Sequence, residues 1–194
     1  LKSAEEFVAG LEIKSGADLG TEVKSAKVFR EHSSDLAKQI EARAVYLLAM
    51  REHGAKELKQ KLLQKFPETS ELLSQYSAES GFVNQLVTEV IQLCQTNNWQ
   101  SDERYLEQTV SSLAEKGQGP LKIQQKLQQA CSDCSLISAY LDWDESDWIE
   151  IAQGVLEKKY GDYHKPIAQK EQAKRMRFLQ SRGFTQSTIW KTFK

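Results

Sequence analysis

Cys131 and Cys134 form a lone C-x-x-C, the spacing of a zinc-ligand or redox pair. Zinc would need two more ligands at similarly close spacing, yet Cys94 is distant and no histidine lies near either thiol. A redox pair would want a thioredoxin-like βαβ setting, and no strand pattern surrounds this one. The segment therefore reads as the start of a helix. His32, His53 and His164 are scattered through polar sequence, without an H-E-x-x-H or a nucleophile elbow beside them. Asp142, Asp144, Glu145 and Asp147 form a cluster of acids. Acid–base catalysis needs a pocket that raises one pKa, so the cluster reads as helix caps and a solvated loop. No phosphate-binding G-x-x-x-x-G-K-S/T run occurs. No catalytic residue, metal site or cofactor is expected.

Charge carries more information than nucleophiles do. The 26 Lys+Arg and 27 Asp+Glu nearly cancel, giving a net charge of −1. The charges are nonetheless segregated. Asp133 to Glu157 holds seven acids and no Lys or Arg, whereas Lys158 to Lys194 holds ten bases against Asp162 and Glu171. Such blocks create a directional field. Within the basic block Lys170, Lys174 and Arg177 recur at i, i+4, i+7, a single helical stripe, with Met176 and Leu179 roughly opposite. A helix of this kind buries one side and offers cations to phosphates or to acidic protein. Trp143, Trp148, Tyr160, Tyr163 and Trp190 are interleaved with these charges, but at helical spacing they read first as core.

The elements that must position these residues are helices. Three Pro and ten Gly in 194 residues leave long uninterrupted stretches. Leu106, Val110 and Leu113, then Ile123 and Leu127, then Ile137 and Leu141, then Ile149, Ala152 and Leu156 each mark one helical face. Ser101 before Asp102 and Glu103 reads as an N-cap, Asp147 with Glu150 as a capping-box variant, and Pro120 after Gly119 as a first turn. No run is long and apolar enough for a membrane span or a secretory h-region. Three cysteines cannot build a disulfide framework, so a reducing, cytoplasmic setting is expected. Leu1 in first position is expected to follow an initiator methionine.

A three-helix unit then recurs. The first pass is expected at Ala44–His53, Ala55–Lys65 and Phe82–Thr96, and the second at Asp102–Lys116, Pro120–Gln129 and Ser132–Leu141. The third is expected at Trp148–Tyr160, Pro166–Ser181 and Thr185–Phe193. The fold class is thus all-α: three tandem three-helix, helix-turn-helix-like repeats forming an elongated, curved body. The repeats are expected over 41–100, 101–145 and 146–194, with an insertion at 67–81 and a partly ordered N-terminal extension over 1–40.

Several runs carry a family resemblance. Ala44-x-x-Leu47-Leu48-Ala49-x-Arg51-Glu52-His53 followed by Glu57-Leu58-x-x-x-Leu62 resembles the opening module of the RecX family of recombination regulators. Trp99-Gln100-Ser101-Asp102-Glu103-Arg104-Tyr105 is similar to that family's junction into its second module. Lys116-Gly117-x-Gly119-Pro120-x-Lys122-Ile123-x-x-x-Leu127 resembles its most distinctive stretch, and Phe178-Leu179-Gln180-x-Arg182-Gly183-Phe184 with Ile189 its closing module. The likeness spans residues 41–194 in family order. The second module departs from it, with Gln129-Ala130-Cys131 where the family has a Lys-Gly-aromatic ending.

The resemblance implies a non-enzymatic modulator of the RecA recombinase. It would bind RecA and the RecA filament on single-stranded DNA, damping ATP hydrolysis, coprotease activity and strand exchange. The expected contacts are Lys170, Lys174, Arg175, Arg177 and Arg182, joined by Lys56, Lys59, Lys122 and Lys126 from the other middle helices. If about five of them meet phosphates, log K should fall against log salt with slope about −3.5 to −4.5. A monomer is expected. The main rival is a helix-turn-helix transcriptional regulator, whose recognition helix would fall at Thr185–Phe193. Ile189, Trp190 and Phe193 make that helix look more like packing than reading. A second rival is a helical repeat adaptor with a peptide partner.

Overall fold

A computed structural model of the chain describes residues 22–193. Residues 1–21 of the expected extension, Lys194 and the His32 side chain lie outside the described residues. In chain order the elements are α1 (Glu22–Met50), α2 (Ala55–Lys65), α3 (Ser70–Gln75), α4 (Phe82–Thr96) and α5 (Asp102–Glu115). They continue with α6 (Pro120–Ala130), α7 (Cys134–Tyr140), α8 (Glu145–Tyr160), α9 (Gln169–Arg182) and α10 (Gln186–Thr192). Two compact units emerge. Among the described residues, one holds α1 through His53 together with Glu57–Gln100, and the other holds Gly54–Lys56 together with Ser101–Phe193.

In the first unit α1 packs along α4. Leu36, Ile40 and Ala44 lie at i, i+4, i+8 and are buried, as are Val83, Leu86, Val87 and Val90 on α4 and Leu58 and Leu62 on α2. That stripe accounts for the helix continuing upstream of Ala44 as far as Leu36, through polar-looking sequence. The 67–81 segment is ordered around α3. Tyr76 is buried, 5.6 Å from the Phe82 ring. The Glu68 carboxylate accepts from the backbone N–H of Gly81 at 2.9 Å and of Val83 at 3.1 Å, supplying the cap that Gly81 lacks. Those backbone donors hold the Glu68 carboxyl below its ordinary pKa.

The second unit contains two three-helix modules. Helices α5, α6 and α7 pack on one another, and α10 packs on α8 and α9. Their shared core includes Leu106, Ile123, Leu127, Ile137, Leu156 and Leu179, all fully buried. Local ends follow the sequence signals in most places. The Ser101 hydroxyl accepts from Arg104 N at 3.2 Å, Pro120 opens α6, and Asp133 caps α7 through Ser135 N and Leu136 N. One signal misleads: α8 starts at Glu145 with Asp144 as N-cap, which places Asp147 within the first turn instead of at its start.

Candidate functional site

The basic stripe is where the sequence predicts it. On α9, Leu179 is fully buried while Lys170, Lys174 and Arg177 are exposed. Lys174 makes a loose ion pair with Glu171 at 3.6 Å and its Nζ lies 5.7 Å from the Tyr160 ring centroid, and Arg177 Nε donates to Ala173 O at 3.2 Å. Lys126 on α6 is exposed as well.

Arg175 corrects the expectation of a surface contact. It is 8% exposed, because it stands four residues before Leu179 and so shares the buried face. Its guanidinium meets Asp162 Oδ1 at 2.8 Å, donates to Asp162 O at 3.2 Å, and lies 4.8 Å from the Tyr160 ring centroid. The Asp162 hydrogen bond raises the Arg175 pKa further and holds the Asp162 carboxyl below its usual range. Arg175 clips the loop between α8 and α9 in place.

Four other expected cations have internal work. Lys122 Nζ donates to Ser181 O at 3.3 Å, and Arg182 donates to Lys116 O at 3.0 Å. Between them the backbone of α6 meets that of α9: Gly119 N donates to Arg182 O at 2.8 Å and Leu121 N to Gly183 O at 3.0 Å. The N-terminus of one helix thus uses the leftover carbonyls at the C-terminus of another, and their dipoles run head to tail. Glycine makes the approach possible. A Cβ on Gly119 would lie 2.5 Å from Gly183 C, and one on Gly183 would lie 2.6 Å from Lys122 N. Residues 54–56 make a similar joint with α6. A Cβ on Gly54 would fall 2.3 Å from Ala130 O, and Lys56 Nζ donates to Gln128 O at 2.8 Å. Ala55 N donates to Asp102 Oδ1 at 2.7 Å. In the first unit Lys59 Nζ donates to Thr88 Oγ1 at 3.0 Å.

The second unit also carries a groove of about 810 Å³ that the sequence reading did not anticipate. It lies among the C-terminal end of α5, one face of α8, and Phe178 and Arg182 of α9. Lys159 Nζ sits 3.6 Å from the Phe178 ring centroid and Arg182 Cζ 5.4 Å from it, so two cations hold one aromatic face. Gly154 opens onto the groove with nothing within 4 Å of where a Cβ would stand. An interior glycine weakens a helix by about 0.5–1 kcal/mol relative to alanine, and no contact among the described residues offsets that cost.

His53, set aside in the sequence as one of three scattered histidines, is 1% exposed. Its Nδ1 lies 2.9 Å from Arg51 O and its Nε2 3.1 Å from Lys61 Nζ. An ammonium only donates, so Nε2 accepts and Nδ1–H donates to the carbonyl, which selects a neutral tautomer. Glu57 joins Arg51 and Lys61 at 2.5 and 3.2 Å. Burial holds the imidazole below its ordinary pKa, with the Arg51 and Lys61 charges adding to it against the Arg51 carbonyl bond and Glu57. A folded pKa below the unfolded one means full stability above about pH 6.5, lost as pH falls toward the folded value. The urea midpoint should therefore drop from about pH 7.5 to about pH 5.5, and His53→Gln should flatten that drop.

Cys131 is buried and Cys134 exposed, and among the described residues no group of three His, Cys, Asp or Glu could hold a metal ion. Glu145 of the acidic cluster ties α8 to α10, accepting from Ser187 Oγ at 2.6 Å and pairing with Lys191. Trp143 and Trp148 stack at 4.9 Å and belong to the core, whereas Trp190 is exposed. No described helix is long and apolar enough to cross a membrane.

Jointed three-helix modules define a class of all-helical repeat proteins. The comparisons make that class specific. The family description "RecX, third three-helix domain" matches residues 145–193, which are α8 to α10. The regulatory protein RecX of Serratia proteamaculans is 34% identical over 159 residues, covering 76% of this chain and 92% of that protein. The regulatory protein RecX of Legionella pneumophila is 34% identical over 154 residues, covering 78% and 90%. The crystal structure of RecX from Lactobacillus salivarius shares the fold with a TM-score of 0.64 at 19% identity, over 82% of this chain and 95% of that one. The chain belongs to the RecX family of regulatory proteins.

Proposed function

We propose that this chain is a cytoplasmic negative modulator of the RecA recombinase. It binds RecA and the RecA filament on single-stranded DNA and slows ATP hydrolysis, coprotease activity and strand exchange. Family membership supports the regulatory role. The observation that carries the binding mode is α9, which buries Leu179 and Arg175 while presenting Lys170, Lys174 and Arg177 to solvent. Cations along a helix suit the phosphates or acidic surface of a nucleoprotein filament. A ligand that touches several protomers at once opposes the relative movements that turnover requires.

The test is to add the purified chain well below the RecA concentration and follow single-strand-dependent ATP hydrolysis. Progressive slowing is expected; no slowing at any ratio removes the function. If Lys170, Lys174 and Arg177 alone meet phosphates, the salt slope on single strands should be about −2, shallower than nine available cations would suggest. A flat response discards direct DNA contact and leaves binding to the protein filament. The transcriptional-regulator reading finds less support. Helix α10 buries Thr188, Ile189 and Thr192, and Lys191 is held by Glu145.

A further inference from the structure

The groove in the second unit is separate from the cation stripe on α9 and has its own chemical pattern. Along one face of α8, Asp147, Ile151, Gly154 and Lys158 follow at i, i+4, i+7 and i+11 and all line the groove. Acids stand at the start of that face, with Glu150 beside Asp147, and bases at its end, with Lys159 beside Lys158. The two ends are about 16 Å apart along the helix axis. Among the described residues, neither Asp147 nor Lys158 takes part in an ion pair. Ile151, Val155 and Phe178 supply apolar surface along it.

Gly154 is the second observation. It sits mid-helix in ordinary helical conformation, faces the groove, and is crowded by nothing. Gly117 differs: its φ of +72° and the Val155 Cγ2 2.2 Å from its would-be Cβ account for it within the fold. A glycine that no described residue requires is explained by close approach of something from outside.

We infer that this groove receives a polypeptide segment of the partner protein, lying along α8 with basic side chains toward Asp147 and Glu150 and acidic ones toward Lys158 and Lys159. Its backbone or small side chains pass over Gly154. The inference rests on the regulatory reading above, with the recombinase as the partner. A nucleic acid fits less well, because the lining mixes Glu115, Asp147 and Glu150 with Lys116, Lys158, Lys159 and Arg182, a pattern of both signs that suits a polypeptide better than a uniformly anionic backbone.

The test uses the full chain and measures affinity for the recombinase filament beside the thermal midpoint. Gly154→Ala should raise the midpoint by about 2–4 °C and yet weaken binding. Gly154→Leu should keep the fold and weaken binding by about tenfold or more, since the added bulk fills the track. Asp147→Lys and Lys158→Glu should each weaken binding. Wild-type affinity in a folded Gly154→Leu chain overturns the inference and leaves the regulatory reading standing. Tighter binding by Asp147→Lys also overturns it and points to nucleic acid in the groove. Failure of the unaltered chain to bind the filament overturns the regulatory reading and, with it, this occupant.

Discussion

Gly183→Ala is expected to lower the stability of the second unit by about 2–5 kcal/mol, read as a shifted urea midpoint at unchanged slope. Two costs combine. Gly183 has φ +89°, where a Cβ costs about 1–2 kcal/mol. That Cβ would also lie 2.4 Å from Lys122 Cβ and 2.6 Å from Lys122 N, and overfilling of this kind costs about 1–3 kcal/mol. Gly161 provides the internal control. Its φ is +84°, but nothing lies within 4 Å of its would-be Cβ. Gly161→Ala should therefore show the conformational cost alone, about 1–2 kcal/mol. The difference between the two variants measures the joint between α6 and α9. Equal losses would mean that the close approach contributes nothing.

Leu127→Ala should cost about 2–5 kcal/mol, the range for a truncated leucine in a core that collapses only in part. Leu127 is fully buried within the core shared by the two modules. Leu121, on the same helix, is 53% exposed. Its change to alanine should stay within about 0.5 kcal/mol. Chemical denaturation of both variants checks the orientation of α6 directly. A small loss at Leu127 would contradict the buried face assigned here.

Most of the helices were legible because burial alone sets their period. Ala55–Lys65 and Phe82–Thr96 match their expected bounds, and Ser101 and Pro120 mark helix starts through local backbone chemistry, whereas α7 starts at Cys134 with Asp133 as its cap and not at Ser132. The part of α1 from Leu36 to Ala44 went unread although Leu36, Ile40 and Ala44 keep the helical four-residue spacing, because only one narrow line of apolar residues runs among polar neighbours there. The cations were harder. A lysine reads identically in sequence whether its ammonium is free or tied to a carbonyl across a joint, as those of the exposed Lys56 and Lys122 are. Arg175 could have been flagged by its i, i+4 relation to Leu179. The groove offered only a faint signal, a helix-interior Gly154 with no cap or turn to justify it.

The shared hydrogen bonds between Gly119 and Arg182, and between Leu121 and Gly183, have a bearing on how such a chain can be shortened. A premature stop before Arg182 would strip α6 of acceptors for two of its opening amides, far upstream in sequence. The damage would surface in a module the lesion never touched. Chains of this construction should thus lose their tail only by losing the neighbour too, so that a proteolytic nick near the end reports on the middle of the molecule.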